Sequence, residues 1–289
     1  MSRPIKADNP NCSNYNIRVL ERAVSILSLL ADGKPRTPAA ISEAINLNQS
    51  TTFRLLSTLT YHRYVNRDKR TNQYQLGLAC LELAHAYYDN SDLRRVALPE
   101  LEALRNETKE TVHLAILDEM EIVYLDKLPG LHAIGLMSSR VGRRSPAFCT
   151  GVGKALLAYQ PLEFIQAYYQ EHGMQRYTTL TITNLSGLME ELAAIHASRL
   201  AFDRGEHEDE VRCVASPIFD ITGQAIAALS ISGPAARMDP VDENYILIEL
   251  AQRSAQNISR LLGYKIPKNS CEENKDAKNH TSTNCLSRP

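Results

Sequence analysis

The sequence predicts an α+β chain of two domains: a small N-terminal helical unit closed by a short hairpin, then a larger domain built on an antiparallel sheet. Three observations carry this. A chain of 289 residues with 44% hydrophobic content is long enough to bury two cores. Apolar residues recur at helical spacing until Thr111, where the period changes to two. Charge divides along the chain as well: residues 1–76 hold 11 Lys and Arg against 5 Asp and Glu, and residues 77–289 hold 21 against 28. A basic head on an acidic body suits a polyanionic partner for the head.

Residues 1–16 are polar and are expected to be a disordered arm. Val19, Leu20, Ala23, Val24, Ile26, Leu27 and Leu30 predict a first helix whose apolar stripe faces a core and which stops at Asp32-Gly33. Thr37 is placed to cap a short second helix with Pro38 at its first position; its expected buried face is Ala40, Ile41, Ala44 and Ile45. After a break at Asn46-Leu47-Asn48, residues 49–60 predict a third helix. Thr52, Leu55, Leu56 and Leu59 point inward, and Ser50, Arg54 and Ser57 point out. Strand-like runs at 64–66 and 73–76 are joined by a basic, polar loop at 67–72. The order helix, turn, helix, hairpin is that of a winged helix-turn-helix over residues 17–77, followed by a linker helix over 78–91.

Residues 92–264 form the expected second domain, opened by a helix over 92–109. Strands at 112–117 and 121–126 flank a turn at 118–120, and another follows at 131–137. Helices are expected over 152–159, 161–172 and 185–200, then strands at 211–219 and 224–232 joined at 220–223. A last helix begins at an Asp239-Pro240 cap and ends at Gly263. Residues 265–289 are too poor in apolar side chains to offset their ordering entropy and are expected to be disordered.

No stretch approaches the roughly 18 consecutive apolar residues of a membrane span, and the N-terminus has no apolar segment behind its charges. The six cysteines are scattered, with neither a C-x-x-C pair nor histidines at zinc-finger spacing. The expectation is a cytoplasmic protein with reduced thiols, no metal, no cofactor and no membrane partner.

A helix enters the major groove only if its first turns carry short hydrogen-bonding side chains, a requirement that Gln49, Ser50, Thr51 and Arg54 meet. Serine and threonine bond phosphate oxygens, glutamine pairs with adenine, and arginine reaches guanine or a phosphate. The expected DNA contacts are Gln49, Ser50, Thr51, Phe53, Arg54 and Ser57 on the helix, with Arg67, Lys69 and Arg70 on the wing. In the second domain, the helix start after Thr150-Gly151 offers backbone N–H groups to an anion. Ser230 and Ser232, two apart on a strand, face one side. The segment Thr150-Gly-Val-Gly-Lys154 is not a phosphate loop, because Phe148 and Ala155 stand where glycine and a hydroxyl residue are needed.

Val19-Leu-Glu-Arg-Ala-Val24, Ser50-Thr-Thr-Phe-Arg-Leu-Leu56 and Tyr74-Gln-Leu-Gly77 resemble the IclR family of bacterial transcription regulators. Ala201-Phe-Asp-Arg-Gly-Glu206 with Val211-Arg-Cys-Val-Ala-Ser-Pro-Ile-Phe-Asp220 resembles that family's signature. Ser139-Arg-Val-Gly-Arg143, Thr150-Gly-Val-Gly-Lys154 and Ala228-Leu-Ser-Ile-Ser-Gly233 resemble the segments that wall its ligand pocket. The resemblance spans roughly residues 18–264. Two positions depart from it: Gln49 stands where lysine is common, and Arg199 where the signature usually has glycine.

The resemblance implies a GAF-related effector domain that binds a small carboxylate through Gly151, Val152, Asp203, Cys213, Ser230 and Ser232. It also implies a dimer or tetramer on a double-stranded palindromic operator. The run Arg140-Val-Gly-Arg-Arg144 resembles the family's sugar-acid repressors, of the 2-keto-3-deoxygluconate regulator type. The implied function is repression of a carbohydrate or sugar-acid catabolic operon. Two other classes compete: a hydrolase using Cys213 or a metal at His207, and a DNA-binding architectural protein with no ligand.

Overall fold

Helix α1, Arg18–Leu30, buries only Ile26 and Leu30. Val19, Leu20 and Val24, expected to face the core, are exposed. The structure is a computed structural model that describes residues 17–89, 92–131 and 137–265. The expected N-terminal arm, nearly all of the strand expected at 131–137 and all but the first residue of the expected disordered tail lie outside the described residues. The chain divides into two compact units, Met1–Asp92 and Leu93–Pro289.

In the first unit, the Thr37 side chain accepts the Ala40 N–H and starts α2, Pro38–Ala44, with proline at its first turn. Its buried residues are Ile41 and Ser42, while Ala40 and Ala44 are exposed. The hydroxyl of Ser42 is the reason: it donates to Leu47 O while the Leu47 N–H donates to Ser42 O, and this reciprocal pair pins the turn. Asn46 takes the left-handed conformation there, at φ 51°. The Asn48 side chain then caps α3, Gln49–Tyr61, by accepting the Thr51 N–H, and the expected stripe of Thr52, Leu55, Leu56 and Leu59 is buried. Strands β1, Val65–Asp68, and β2, Gln73–Leu76, pair antiparallel. Arg67 is therefore a strand residue rather than a loop residue. Its guanidinium lies over the Tyr74 ring and its Nε donates to Asn72 Oδ1. Helix α4, Leu78–Asp89, follows.

The second unit opens with α5, Asp92–Thr108, and is organised on six antiparallel strands. These are β3 (Thr111–Asp118), β4 (Glu121–Leu128), β5 (Arg144–Pro146), β6 (Ala201–Asp203), β7 (Val211–Phe219) and β8 (Ala225–Pro234), in the order β5-β4-β3-β8-β7-β6. Strands β5 and β6 have three residues each and escaped the sequence reading, which needs longer runs. Glu119 and Met120 take positive φ at the β3–β4 hairpin, a turn that matches strand twist.

The alternation along β8 divides the unit. Ala227, Leu229 and Ile231 pack with α5 residues Ala97, Leu101 and Leu104 and with α10, Tyr245–Leu261. The opposite face carries Ala228, Ser230 and Ser232, with Ala215 and Cys213 beside them on β7. Small side chains there let α6, Gly151–Leu157, lie close to the sheet, with α7, Leu162–His172, and α8, Leu185–Ser198, completing that layer.

Helix α8 stops where Arg199 takes the left-handed conformation, φ 58° and ψ 29°, two residues short of its expected end. The departure from glycine thus keeps the turn. The strain of a side chain there is offset by stacking, with the guanidinium 5.2 Å from the Phe219 ring and 5.9 Å from that of Tyr264. Asp239-Pro240 does not cap the last long helix. Asp239 pairs with Arg212 at 2.8 Å, a short helix α9, Ala235–Met238, precedes it, and the Asn244 side chain caps α10. Among the described residues no helix is long and apolar enough to cross a membrane.

Candidate functional site

The first unit places Gln49, Ser50, Phe53, Arg54 and Ser57 on the exposed side of α3, with Thr51 half-buried at its edge. Phe53 is 54% exposed, an aromatic ring left on a polar face. Ser50 donates to Asn48 Oδ1, so its hydroxyl is tied to the helix cap. Lys69 and Arg70 occupy the exposed hairpin tip, where Asp68 accepts the Arg70 N–H and the Thr71 hydroxyl. The surface can present donors to a polyanion from a preorganised helix start and from a hairpin.

In the second unit Gly151, Val152, Asp203, Cys213, Ser230 and Ser232 line one pocket of about 380 Å³, a figure that includes space open to solvent. Strand register explains the convergence, since Cys213 pairs with Asp203 on one side and Ser232 on the other, and His113 pairs with Ser230. Gly151 is needed for close approach: a Cβ there would sit 3.3 Å from Cys213 Cβ and 3.4 Å from Ala215 Cβ. Helix α6 starts at Gly151, one residue before the expected start, behind a 3-10 turn at Ala147–Cys149. Its first internal hydrogen bond is Lys154 N–H to Thr150 O, at 2.9 Å.

The pocket also contains His113, Tyr124 and Glu208, which the sequence reading did not select, together with Ser139 from the segment expected to wall it and His207, named only for the competing hydrolase. Nε2 of His113 lies 2.9 Å from Ser139 Oγ, and Nδ1 lies 3.3 Å from both Ser230 Oγ and Ser232 Oγ. Burial drives its pKa down to about 3, so the imidazole is neutral and relays hydrogen bonds between hydroxyls. The signal was in the sequence, as a lone polar residue within the apolar strand 112–117.

Asp203 Oδ1 accepts the N–H groups of Gly205 at 3.0 Å and Glu206 at 2.7 Å. Burial, then the neighbouring Glu206 carboxylate, push its pKa up to about 7. Burial also raises that of Cys213, which keeps it a neutral thiol. Glu206 does not reach the pocket. It is buried against Lys154, which is fully buried and also bonds Glu191 Oε1 at 2.9 Å. Of the run 140–144, Arg144 is paired with Asp118 and with Glu121 across the β3–β4 hairpin, leaving Arg140 and Arg143 exposed.

Residues 19–69 match the family described as the IclR helix-turn-helix domain, and residues 85–260 match the bacterial transcriptional regulator IclR C-terminal domain. The chain is 34% identical over 249 residues to the HTH-type transcriptional regulator XynR of Escherichia coli, covering 86% of this chain and 98% of that one. It is 32% identical over 243 residues to the HTH-type transcriptional regulator KdgR of Escherichia coli, covering 84% and 92%. The solved IclR homologue from Microbacterium hydrocarbonoxydans in complex with 4-hydroxybenzoate superimposes with a TM-score of 0.75 at 26% identity, covering 84% and 98%.

Proposed function

The chain belongs to the IclR family of bacterial DNA-binding transcription regulators, and from that premise we propose that it represses a carbohydrate or sugar-acid catabolic operon until a small hydroxy or keto acid enters the pocket of its second domain. The hydrolase reading falls with the family. The observation that carries the effector reading is the convergence of Gly151, Val152, Asp203, Cys213, Ser230 and Ser232 on one pocket whose walls carry hydroxyls, the imidazoles of His113 and His207 and the carboxyls of Asp203 and Glu208 beside Met137 and Val211. The polar groups among them can bond the hydroxyls of a polyol chain. The relative solved with 4-hydroxybenzoate, an aromatic carboxylate, supports a carboxylate ligand.

The working unit is a homodimer or a dimer of dimers in the cytoplasm. Ile17 just before α1, Leu20 and Val24 along it and Leu78 and Leu81 on α4 are more than half exposed in the first unit, apolar surface that a second copy would remove from water. Two recognition helices would then meet a palindromic operator.

On DNA, log affinity should fall linearly with log salt, by about 0.9 for each phosphate neutralised. Arg54→Ala should weaken operator binding by about 1–3 kcal/mol more than non-specific binding if Arg54 reads a base, and should lower both equally, with a shallower salt slope, if it holds a phosphate. Fluorescence anisotropy across a salt series checks both; unchanged binding would mean that another face of α3 meets DNA.

The acid should change operator affinity by a coupling free energy on the order of 1–3 kcal/mol. The double variant Ser230→Ala with Ser232→Ala should lose that response in a band-shift titration while keeping acid-free operator binding. A double variant that still responds in full would place the effector elsewhere.

A further inference from the structure

A carboxylate entering this pocket meets an unusual balance of charge. Among the described residues no lysine or arginine lines it, whereas two carboxyl groups, of Asp203 and Glu208, do. Glu208 Oε1 is engaged at the rim by the N–H and hydroxyl of Ser138. Asp203 is 3% exposed, and its Oδ1 is held by two backbone N–H groups, which leaves Oδ2 as the atom available to the cavity.

Arg140 and Arg143 stay exposed on the segment before β5, and the cations closer in are held by hydrogen bonds. Lys154, from α6, bonds Glu206 and Glu191. Arg204, which follows β6, bonds Glu191 and Asp242. Lys127, on β4, donates to Ser139 O at 2.7 Å. The remaining titratable groups around Asp203 carry no positive charge at neutral pH. Burial keeps Cys213 on β7, Cys149 in the turn before α6 and Tyr124 on β4 protonated and neutral. It also lowers the pKa of His207, whose ring faces Glu208. An ionised ligand set beside an ionised Asp203 would place two like charges in a poorly solvated site with no described lysine or arginine side chain in contact with them, an arrangement in which one carboxyl takes a proton.

We propose that the pocket binds its acid effector together with one proton, taken from solvent and held on Oδ2 of Asp203, so that a carboxyl-to-carboxylate hydrogen bond does the work usually given to arginine. The inference rests on the effector reading above and adds the chemistry by which the acid is held. The proton is readily available: burial and the Glu206 carboxylate bring Asp203 to about 7 before any ligand arrives. The bond formed is a short, charge-assisted O–H···O⁻ contact. The sign follows. Below that pKa Asp203 already carries the proton and affinity is flat; above it binding must take up the proton, and affinity falls about tenfold per pH unit.

The full-length protein is titrated calorimetrically with sodium D-gluconate and with sodium pyruvate between about pH 6 and 8.5, in phosphate and in Tris, whose ionisation heats differ. Uptake of about one proton near pH 8 is expected, with the tenfold slope above pH 7. Asp203→Asn keeps an Oδ1 for the two N–H groups and offers Nδ2 as a permanent donor. It should bind with no pH slope and, near pH 8.5, about 30-fold more tightly than the parent. An acid that binds with no proton uptake or with a flat profile overturns the inference and leaves the effector reading standing. Failure of both acids to bind at any pH overturns the two together. Proton uptake by the unmodified protein decides the matter even where the variant does not fold.

Discussion

Gly153→Ala is expected to cost about 4 kcal/mol or more and to unfold the second unit at moderate urea concentrations. A Cβ at this position would stand 2.3 Å from Ala147 O, 2.4 Å from Ala147 Cα and 2.5 Å from Thr150 Oγ1. Two of these are backbone atoms of the 3-10 turn that folds over the start of α6, and that turn cannot retreat, because Ala147, Phe148 and Cys149 are themselves buried. Gly151→Ala makes the control. Its nearest new neighbours are the Cβ atoms of Cys213 and Ala215 at 3.3 and 3.4 Å, so it should cost on the order of 1 kcal/mol, while crowding the pocket. Urea unfolding followed by far-UV circular dichroism separates the two, and a Gly153→Ala midpoint equal to that of the parent would refute the close packing of α6.

Lys154→Met should destabilise the second unit by about 3–5 kcal/mol near pH 8, because it removes one side of a buried pair and strands Glu206. Glu206 already has a pKa raised by burial, against the opposing pull of Lys154. Without the ammonium it rises further. An acid whose folded pKa lies above its unfolded value favours folding while protonated, so the penalty is complete above the folded pKa and fades as pH falls below it. The variant should therefore regain stability as pH falls from 8 toward the ordinary carboxylate range, and adding Glu206→Gln should recover part of the loss at high pH. Glu191 is less affected, since Arg204 remains beside it at 3.4 Å. A Lys154→Met protein that loses less than about 1 kcal/mol at pH 8 would show that the pair is net neutral.

The two units differ in how much their sequences disclose. The inward stripe of α3 was legible residue by residue, because Thr52, Leu55, Leu56 and Leu59 follow helical spacing and one face meets a core. The stripe of α1 was legible as a helix but misleading about burial, since periodicity reports an apolar face without naming what covers it. Ser42 was missed for a related reason: a serine in a helix reads as solvent-facing, and only the folded turn supplies the carbonyl of Leu47 as its partner.

The pocket shows the same division. Its floor follows from a period of two, which puts Ser230 and Ser232 on one side of β8 and the large aliphatics on the other. The meeting of that floor with Asp203 and His113 does not follow from any local pattern, because β6 and β3 lie on opposite sides of β8 in the sheet while far apart along the chain. Nor could Lys154 be told from a surface charge, since a lysine becomes a buried counterion only when α8 and the segment after β6 bring Glu191 and Glu206 to it.

Sequence alone determined the helix-turn-helix, the alternating strands, the basic head and the resemblance that six scattered residues belong together, because each is written in spacing or composition along the backbone. Tertiary structure alone decided which side chains share the cavity, which arginines are already paired, and that among the described residues no lysine or arginine lines the cavity beside Asp203. Burial, pairing and charge balance are properties of neighbours in space, and strand order brings those neighbours together from residues 113, 154, 203 and 230 of one chain.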